Sequence, residues 1–368
     1  MTKAYLWQLD GWPKMVWDDN RIGKITAEVN TQRGVLTGRL DMFGFDTRSA
    51  TILDTMTHEI MNSSAIEGEM LNRDSVRSSV ARHLGLETNG GRSNDHYIEG
   101  VVEILMDATR NYDTKLTAQR LFGWHAALFP TGYSGPHKIK VGGWRTGDEP
   151  MQVVSGAMGH EIVHFEAPGS NLVPPMMKEF LKWVNDDKLP IDPIVKAAVA
   201  HLWFVTIHPF DDGNGRICRT ITEMLLTKAD KNANRYFSLS STILQHRKEY
   251  YEHLENAQKN ELDVTDWVEW FLKVALEAVD NSIAKTERVV KKTLFWDSHR
   301  DIVMNERQRK VLNMLLDGFE GYLTSSKWYK INHCSQDTAN RDINDLISKD
   351  ILHPSQEGGR SIHYKLVE

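Results

Sequence analysis

The stretch His208-Pro209-Phe210-Asp211-Asp212-Gly213-Asn214-Gly215-Arg216-Ile217-Cys218-Arg219 governs the reading of the whole chain. Residues 194–207, just before it, form an apolar run broken by Lys196 and His201; this predicts a buried helix too short to span a bilayer. Pro209 disfavours the α conformation at His208, so that helix stops there. Gly213-Asn214-Gly215 makes a turn, and a new helix opens near Gly215. The first N–H groups of a helix lack intrahelical partners; glycines let them converge, and the helix dipole adds partial positive charge. This is an anion site suited to phosphate. Arg216 and Arg219 share a face of the new helix and can reach one polyphosphate with bidentate forks. Asp212 lies beside that site, where a carboxylate with phosphate oxygens suits Mg²⁺, and His208 lies where a general base would be wanted. A capped helix whose arginines make salt bridges is the plainer alternative.

At every defined position this stretch resembles the motif of the Fic family, His-x-Phe-x-(Asp/Glu)-Gly-Asn-Gly-Arg-x-x-Arg. The resemblance extends to Gly143-Trp144-Arg145 and to a flap-like hairpin at 151–166, and covers about residues 50–276. It implies an ATP- and Mg²⁺-dependent transfer of AMP to a Ser, Thr or Tyr hydroxyl of a target protein. In that reading His208 takes the hydroxyl proton, Phe210 packs into the core, and Asp212 binds Mg²⁺. Gly213, Asn214 and Gly215 line the anion hole, and Arg216 and Arg219 contact the outer phosphates. The resemblance also places Tyr250 and Tyr251 by the adenine, with ordinary helix core as the competing reading. Gln258 stands where some relatives have Asn. The target would dock on the flap hairpin by strand addition, and relatives of this arrangement often form homodimers.

Ser63-Ser64-Ala65-Ile66-Glu67-Gly68 resembles the Fic inhibitory motif, (Ser/Thr)-x-x-x-Glu-(Gly/Asn). The resemblance implies that Glu67 pairs with Arg219, blocking the γ-phosphate by occupying the guanidinium fork. Ser63 and Ser64 share the helix face of Glu67 and would line the nucleotide pocket. Alone, the stretch also reads as a solvated helix end. Some relatives with this glutamate remove AMP from the target, so the reverse activity is part of the expectation.

Working outward, three tryptophans, Trp7, Trp12 and Trp17, with Gly11 and Pro13 between them, predict a small aromatic anchor and no helix. Helical spacing runs over 47–86, then residues 87–94 read as a loop. Further helices are expected at 97–111, 117–128, 175–185, 193–207, 215–229, 250–258 and 264–294. Two short strands, 151–155 and 161–165, form the hairpin. From about Asn305 the order is helix, helix, hairpin: 309–317, then 335–349 capped by Ser335, then 351–354 and 362–367. That is the order of a winged helix. The expected fold is mainly α, a Fic-type helical core with a β-hairpin flap plus a C-terminal winged-helix domain. The expected parts are 1–95 with the inhibitory helix, 96–294 as the catalytic domain, and 295–368.

The chain has 368 residues, 40% hydrophobic and 26% charged, with 44 Lys+Arg against 50 Asp+Glu. Disorder as the main state is excluded, and bulk positive charge does not hold it on nucleic acid. Cys218 and Cys334 cannot build a disulfide framework. With no targeting segment in the opening residues and no membrane span, a cytoplasmic protein is expected. His160-Glu161-Ile162-Val163-His164 matches a zinc-protease pattern, but in a strand its histidines lie about 13 Å apart, too far for one Zn²⁺. In the tail, Gln336, Asn340, Arg341 and Asn344, with Arg360 at the wing tip, could face nucleic acid; Asp337, Asp342, Asp345 and Asp350 oppose it. A nucleotide-sensing DNA-binding regulator is therefore the rival to the enzyme.

Overall fold

The computed structural model describes residues 4–41, 43–86, 95–147, 150–155, 162–259, 261–319, 321–355 and 362–367. Contacts divide the chain into two units, Met1–Ser282 and Ile283–Glu368.

The centre of the first unit is α7 (Pro193–Ile207), buried at every position from Ile194 to Ile207. Asp192 caps it by accepting from the Ile194 N–H at 2.9 Å, and Pro193 supplies the fixed φ of a first helical residue. Against it lies α8 (Asn214–Asp230), buried over most of its length. His201 joins the two through Nδ1 and the Thr222 hydroxyl at 2.9 Å. Around this pair stand α1 (Asp19–Asp41), α2 (Phe45–Ile66), α3 (Arg73–His83), α4 (His96–Arg110), α5 (Ala118–Leu128) and α6 (Val173–Val184). The short α9 (Leu239–Gln245) packs on α2, followed by α10 (Arg247–Ala257) and the long α11 (Thr265–Ser298).

Two of these elements depart from the sequence reading. The helical pattern over 47–86 is two helices, α2 and α3, parted at Gly68, whose φ of +87° only glycine adopts without strain. Helix α1 has no counterpart in that reading. Its buried residues Ile22, Val29 and Leu36 are seven apart, a thinner stripe than helical spacing usually shows. Distant polar partners hold it: Asn30 donates to Asp192 at 2.7 Å, Arg33 pairs with Asp230, and Arg21 with Glu269 at 2.5 Å.

A small hairpin, β1 (Tyr133–Ser134) with β2 (His137–Lys138), follows α5. The flap is β3 (Gln152–Ser155) antiparallel to β4 (Ile162–Glu166), in register Gln152↔Glu166 and Val153↔Phe165, with a shift before Val154↔Val163. Val154 and Val163 are exposed on it. The His160-Glu161 half of the zinc-protease pattern lies outside the described residues, and Val163-His164 is strand. The expected loop 87–94 also lies outside them.

The tryptophan-rich start forms an aromatic anchor, but one turn of 3₁₀ helix, Leu6–Gln8, runs through it where the sequence predicts no helix. Trp7 Nε1 donates to the Glu166 carbonyl at 2.8 Å, Tyr5 packs edge-on to Phe165 at 5.2 Å, and Trp12 packs edge-on to Trp203 at 5.9 Å.

The second unit contains α12 (Glu306–Leu316), α13 (Ser325–Asn332) and α14 (Gln336–Ser348), then β5 (Leu352–Ser355) antiparallel to β6 (His363–Leu366). Helix α13 adds one element to the expected order. Leu323 bridges to Tyr364 on the hairpin, and Val311, Leu312, Trp328, Ile343 and Leu346 form a buried core. Ser335 caps α14 through the Thr338 N–H at 3.2 Å. Arg360 lies outside the described residues.

Candidate active site

The junction between α7 and α8 is held by backbone contacts. His208 closes α7 in a left-handed conformation, φ 50°, at the point where Pro209 disfavours continuing the helix. Its Nδ1 faces the Val205 carbonyl at 3.4 Å, a weak contact that favours the tautomer with the proton on Nδ1 and a free lone pair on Nε2. Burial, then the charge of Arg145, lowers its pKa to about 4, so the ring is neutral near pH 7. Arg145 holds the backbone here. Its N–H donates to the Pro209 carbonyl at 2.9 Å, its Nε to the His208 carbonyl at 2.7 Å, and Nη2 to the Pro168 carbonyl.

Beyond Pro209, Phe210 is fully buried and stacks on His125 with centroids 4.3 Å apart. Asn214 bonds its backbone both ways: Oδ1 accepts from the Phe210 N–H at 2.9 Å and the amide donates to the carbonyl at 2.8 Å. His125 Nδ1 accepts from the Gly142 N–H at 3.3 Å, which leaves its proton on Nε2 for the Asp212 carbonyl at 3.2 Å. Asp211 is taken by the Lys140 N–H at 2.8 Å. Asp212 keeps a half-exposed carboxylate, with the Ser134 hydroxyl donating to Oδ2.

Gly213 has a φ of +78°, and a Cβ there would come 2.8 Å from the Phe129 ring. The next turn opens α8, and a Cβ on Gly215 would collide with the Glu67 carboxylate. The acid therefore fills the space over the first turn of α8. Glu67 pairs with Arg219 Nη2 at 2.9 Å, while Ser63 receives Arg219 Nε on its hydroxyl at 2.8 Å and Nη2 on its carbonyl at 2.7 Å. Arg219 is 2% exposed; burial opposes its charge, but Glu67 outweighs that and raises its pKa. Arg216 is equally deep and bonds Glu69 and the Tyr97 hydroxyl. At this site Arg216 Nε, Arg219 Nη1 and Ser64 Oγ are among the buried polar atoms of the described residues that have no hydrogen-bond partner.

The sequence-predicted residues gather in one place, with Tyr250 at its buried back, its ring 5.1 Å from that of Tyr251. Tyr250 is buried and its hydroxyl is engaged with His201 Nε2 at 2.9 Å, in the core. Tyr251 is 38% exposed and reaches the Ile66 carbonyl at 3.3 Å, beside Glu67. Gln258 is also inward, donating to Thr206 at 3.3 Å. Sequence reasoning misses four participants: Glu69, Tyr97, Ser134 and the tethering role of Arg145. Glu69 leaves a local signal as a second acid two residues beyond Glu67, and Arg145 leaves one in Gly143-Trp144-Arg145, though not its tethering role. No group of three or more His, Cys, Asp or Glu suited to a metal occurs among the described residues, and none of their helices is long and apolar enough to cross a membrane.

Comparison with known proteins agrees with this geometry. Residues 115–226 match the Fic/DOC family, and residues 5–86 match a domain of unknown function, DUF4172. A protein adenylyltransferase Fic of Culex quinquefasciatus is 33% identical over 229 residues, 60% of this chain and 40% of that protein. A probable protein adenylyltransferase of Aquifex aeolicus is 23% identical over 190 residues, 51% of this chain and 52% of that protein. The chain spans about half or less of the length of the curated relatives it matches. The crystal structure of a Fic family protein from Desulfovibrio desulfuricans G20 superposes with a TM-score of 0.54 at 20% identity, covering 94% of this chain and 95% of that one. Residues 115–226 of this chain thus match the Fic/DOC family, and the chain has the fold of the Fic-family structure it superposes on.

Proposed function

We propose that the protein is an autoinhibited protein adenylyltransferase, moving AMP from ATP to a hydroxyl of a target protein. The observation that carries this reading is the Glu67 carboxylate seated over Gly215 and paired with Arg219, beside a neutral His208. Names of the relatives, protein adenylyltransferases, support the same reaction class. His208 Nε2 takes the proton from the incoming hydroxyl, whose oxygen then attacks the α-phosphorus as the bond to the leaving pyrophosphate breaks. The N–H groups of residues 213–215 and the two arginines hold the phosphates, so positioning and charge neutralisation supply most of the rate.

Asp212, with its half-exposed carboxylate, fits Mg²⁺, which asks the protein for one or two carboxylates and takes the rest from phosphate and water. When bound, the ion would offset phosphate charge. Glu67 blocks this state by holding the donors of Arg219. Removal of AMP from a modified target is the second direction we assign to the site, with Glu67 handling the water. The target docks on the flap beside exposed Val154 and Val163. Parts 1–95, 96–294 and 295–368 are our functional division.

The test is ATP labelled on its α-phosphate, with Mg²⁺, given to wild type, Glu67→Gly and His208→Ala in a host lysate. Label on protein should rise with the Glu67 change and fall by at least about a hundredfold with the His208 change. Equal labelling by His208→Ala overturns the mechanism.

The regulator reading draws on one observation. Two of the acids that oppose DNA binding are already neutralised, Asp342 by Arg307 at 2.7 Å and Asp345 by Lys349 at 2.6 Å. We read the second unit as a winged helix. Salt-dependent binding of a specific duplex, without label transfer, would favour that reading.

A further inference from the structure

Helix α2 ends in a specific turn. The Gly68 N–H bonds the Ala65 carbonyl at 3.0 Å and the Glu69 N–H bonds the Ser64 carbonyl at 3.0 Å, with Gly68 left-handed between two glutamates. These two bonds satisfy carbonyls left open at the end of α2. It presents Glu67 and Glu69 toward two arginines one turn apart on α8. Glu67 meets Arg219. Glu69 meets Arg216, whose Nη1 donates to its two oxygens at 3.0 and 2.8 Å. Tyr97 completes the cluster, its hydroxyl accepting from Arg216 Nη1 at 2.5 Å and donating to Glu69. The side chain of Arg216 is 3% exposed and that of Glu69 is 41% exposed, so the acid covers the guanidinium from the solvent side.

We propose that Glu69, positioned by Tyr97, is a second anionic gate on the nucleotide site, covering Arg216 as Glu67 covers Arg219. The inference rests on the nucleotide reading above. Phosphate oxygens and a carboxylate compete for the same N–H donors, and like charges placed side by side repel. A polyphosphate must therefore displace two carboxylates. Because both hang from one turn, a signal that moves that turn clears both arginines together. Removing Glu67 alone leaves Arg216 covered and opens the site only in part.

The test is the equilibrium affinity of this chain of 368 residues for ATP with Mg²⁺, by calorimetry, in parallel with label transfer. In the Glu67→Gly background, Glu69→Gln is expected to tighten ATP binding by about tenfold, the scale of one charged hydrogen-bonded contact. Tyr97→Phe keeps its ring against Arg216 and removes only the hydroxyl, so it should shift affinity the same way by less. A fall or no change in affinity on Glu69→Gln would overturn the gate and make Glu69 a clamp that orients Arg216. Tighter ATP binding without transfer in any variant would keep the gate and sink adenylyl transfer. Transfer without a Glu69 effect on affinity would sink the gate alone. Failure of every variant to bind ATP would sink both.

Discussion

Arg145 grips His208 by its carbonyl, Nε to oxygen at 2.7 Å, while its charge also depresses the imidazole pKa. One side chain thus sets the position of the ring and adds to the burial that keeps it neutral. Arg145→Gln, made in the Glu67→Gly background, should lose about a hundredfold in transfer, the usual effect of misplacing a reacting group by about 1 Å. It should also move the acidic limb of the pH–rate profile upward, since a positive neighbour is gone. A purely structural arginine would lower the rate without moving that limb.

The lowered pKa of His208 has a second, thermodynamic sign. Its folded value is about 4 against an ordinary 6.5. Between those values the unfolded chain takes up the proton first, so stability falls as pH falls from 6.5 toward 4. At pH 5 this amounts to about 2 kcal/mol. His201, lowered to about 3 by burial and then the charge of Arg219, acts the same way, while Glu223, raised to about 7 by burial, acts oppositely. A difference isolates His208. Urea unfolding at pH 7 and pH 5 should show His208→Gln losing about 2 kcal/mol less than wild type. Identical losses would mean the ring is not held neutral.

Gly213 has no room for a side chain and the wrong φ for one. Gly213→Ala combines left-handed strain with contact against Phe129, and should cost about 2 kcal/mol or more. Transfer should drop as well, because the N–H groups of the cradle shift with it. Thermal unfolding and label transfer measured together would check both effects.

Gly68 is the opposite case: a methyl on its Cα would meet no atom within 4 Å, so only its φ of +87° resists substitution. Gly68→Ala should cost about 1 kcal/mol, lowering the melting midpoint by about 3 °C. Transfer should increase as the turn slackens and Glu67 leaves Arg219. Gly68→Asn, which tolerates the left-handed region, should do less of both. A rise with Asn that equals the rise with Ala would refute strain as the cause.

Particular residues show what the sequence could disclose. Helix α7 was legible because Asp192-Pro193 starts it and Pro209 stops it, both local rules. The cradle was legible because its parts lie within twelve consecutive positions. Helix α1 was not, since Arg33 finds Asp230 and Asn30 finds Asp192 only after folding. The Glu69–Arg216 pair spans 147 positions, beyond any spacing rule. Tyr250 and Tyr251 were readable in part: their rings pack 5.1 Å apart, but Tyr250 is buried with its hydroxyl on His201, and only Tyr251 keeps an exposed side beside the Ile66 carbonyl.

The anchor at the start of the chain reaches the flap. Trp7 holds the Glu166 carbonyl and Tyr5 covers Phe165, both on β4, while Trp12 packs on Trp203 of α7. A truncation beginning at α1 would strip the lining from that strand and uncover a tryptophan of the central helix. Such a shortened protein would be a poor stand-in for comparing targets, because the flap we propose as their docking ledge would have lost its buttress. A purification handle on this end belongs behind a spacer long enough to leave the tryptophans seated.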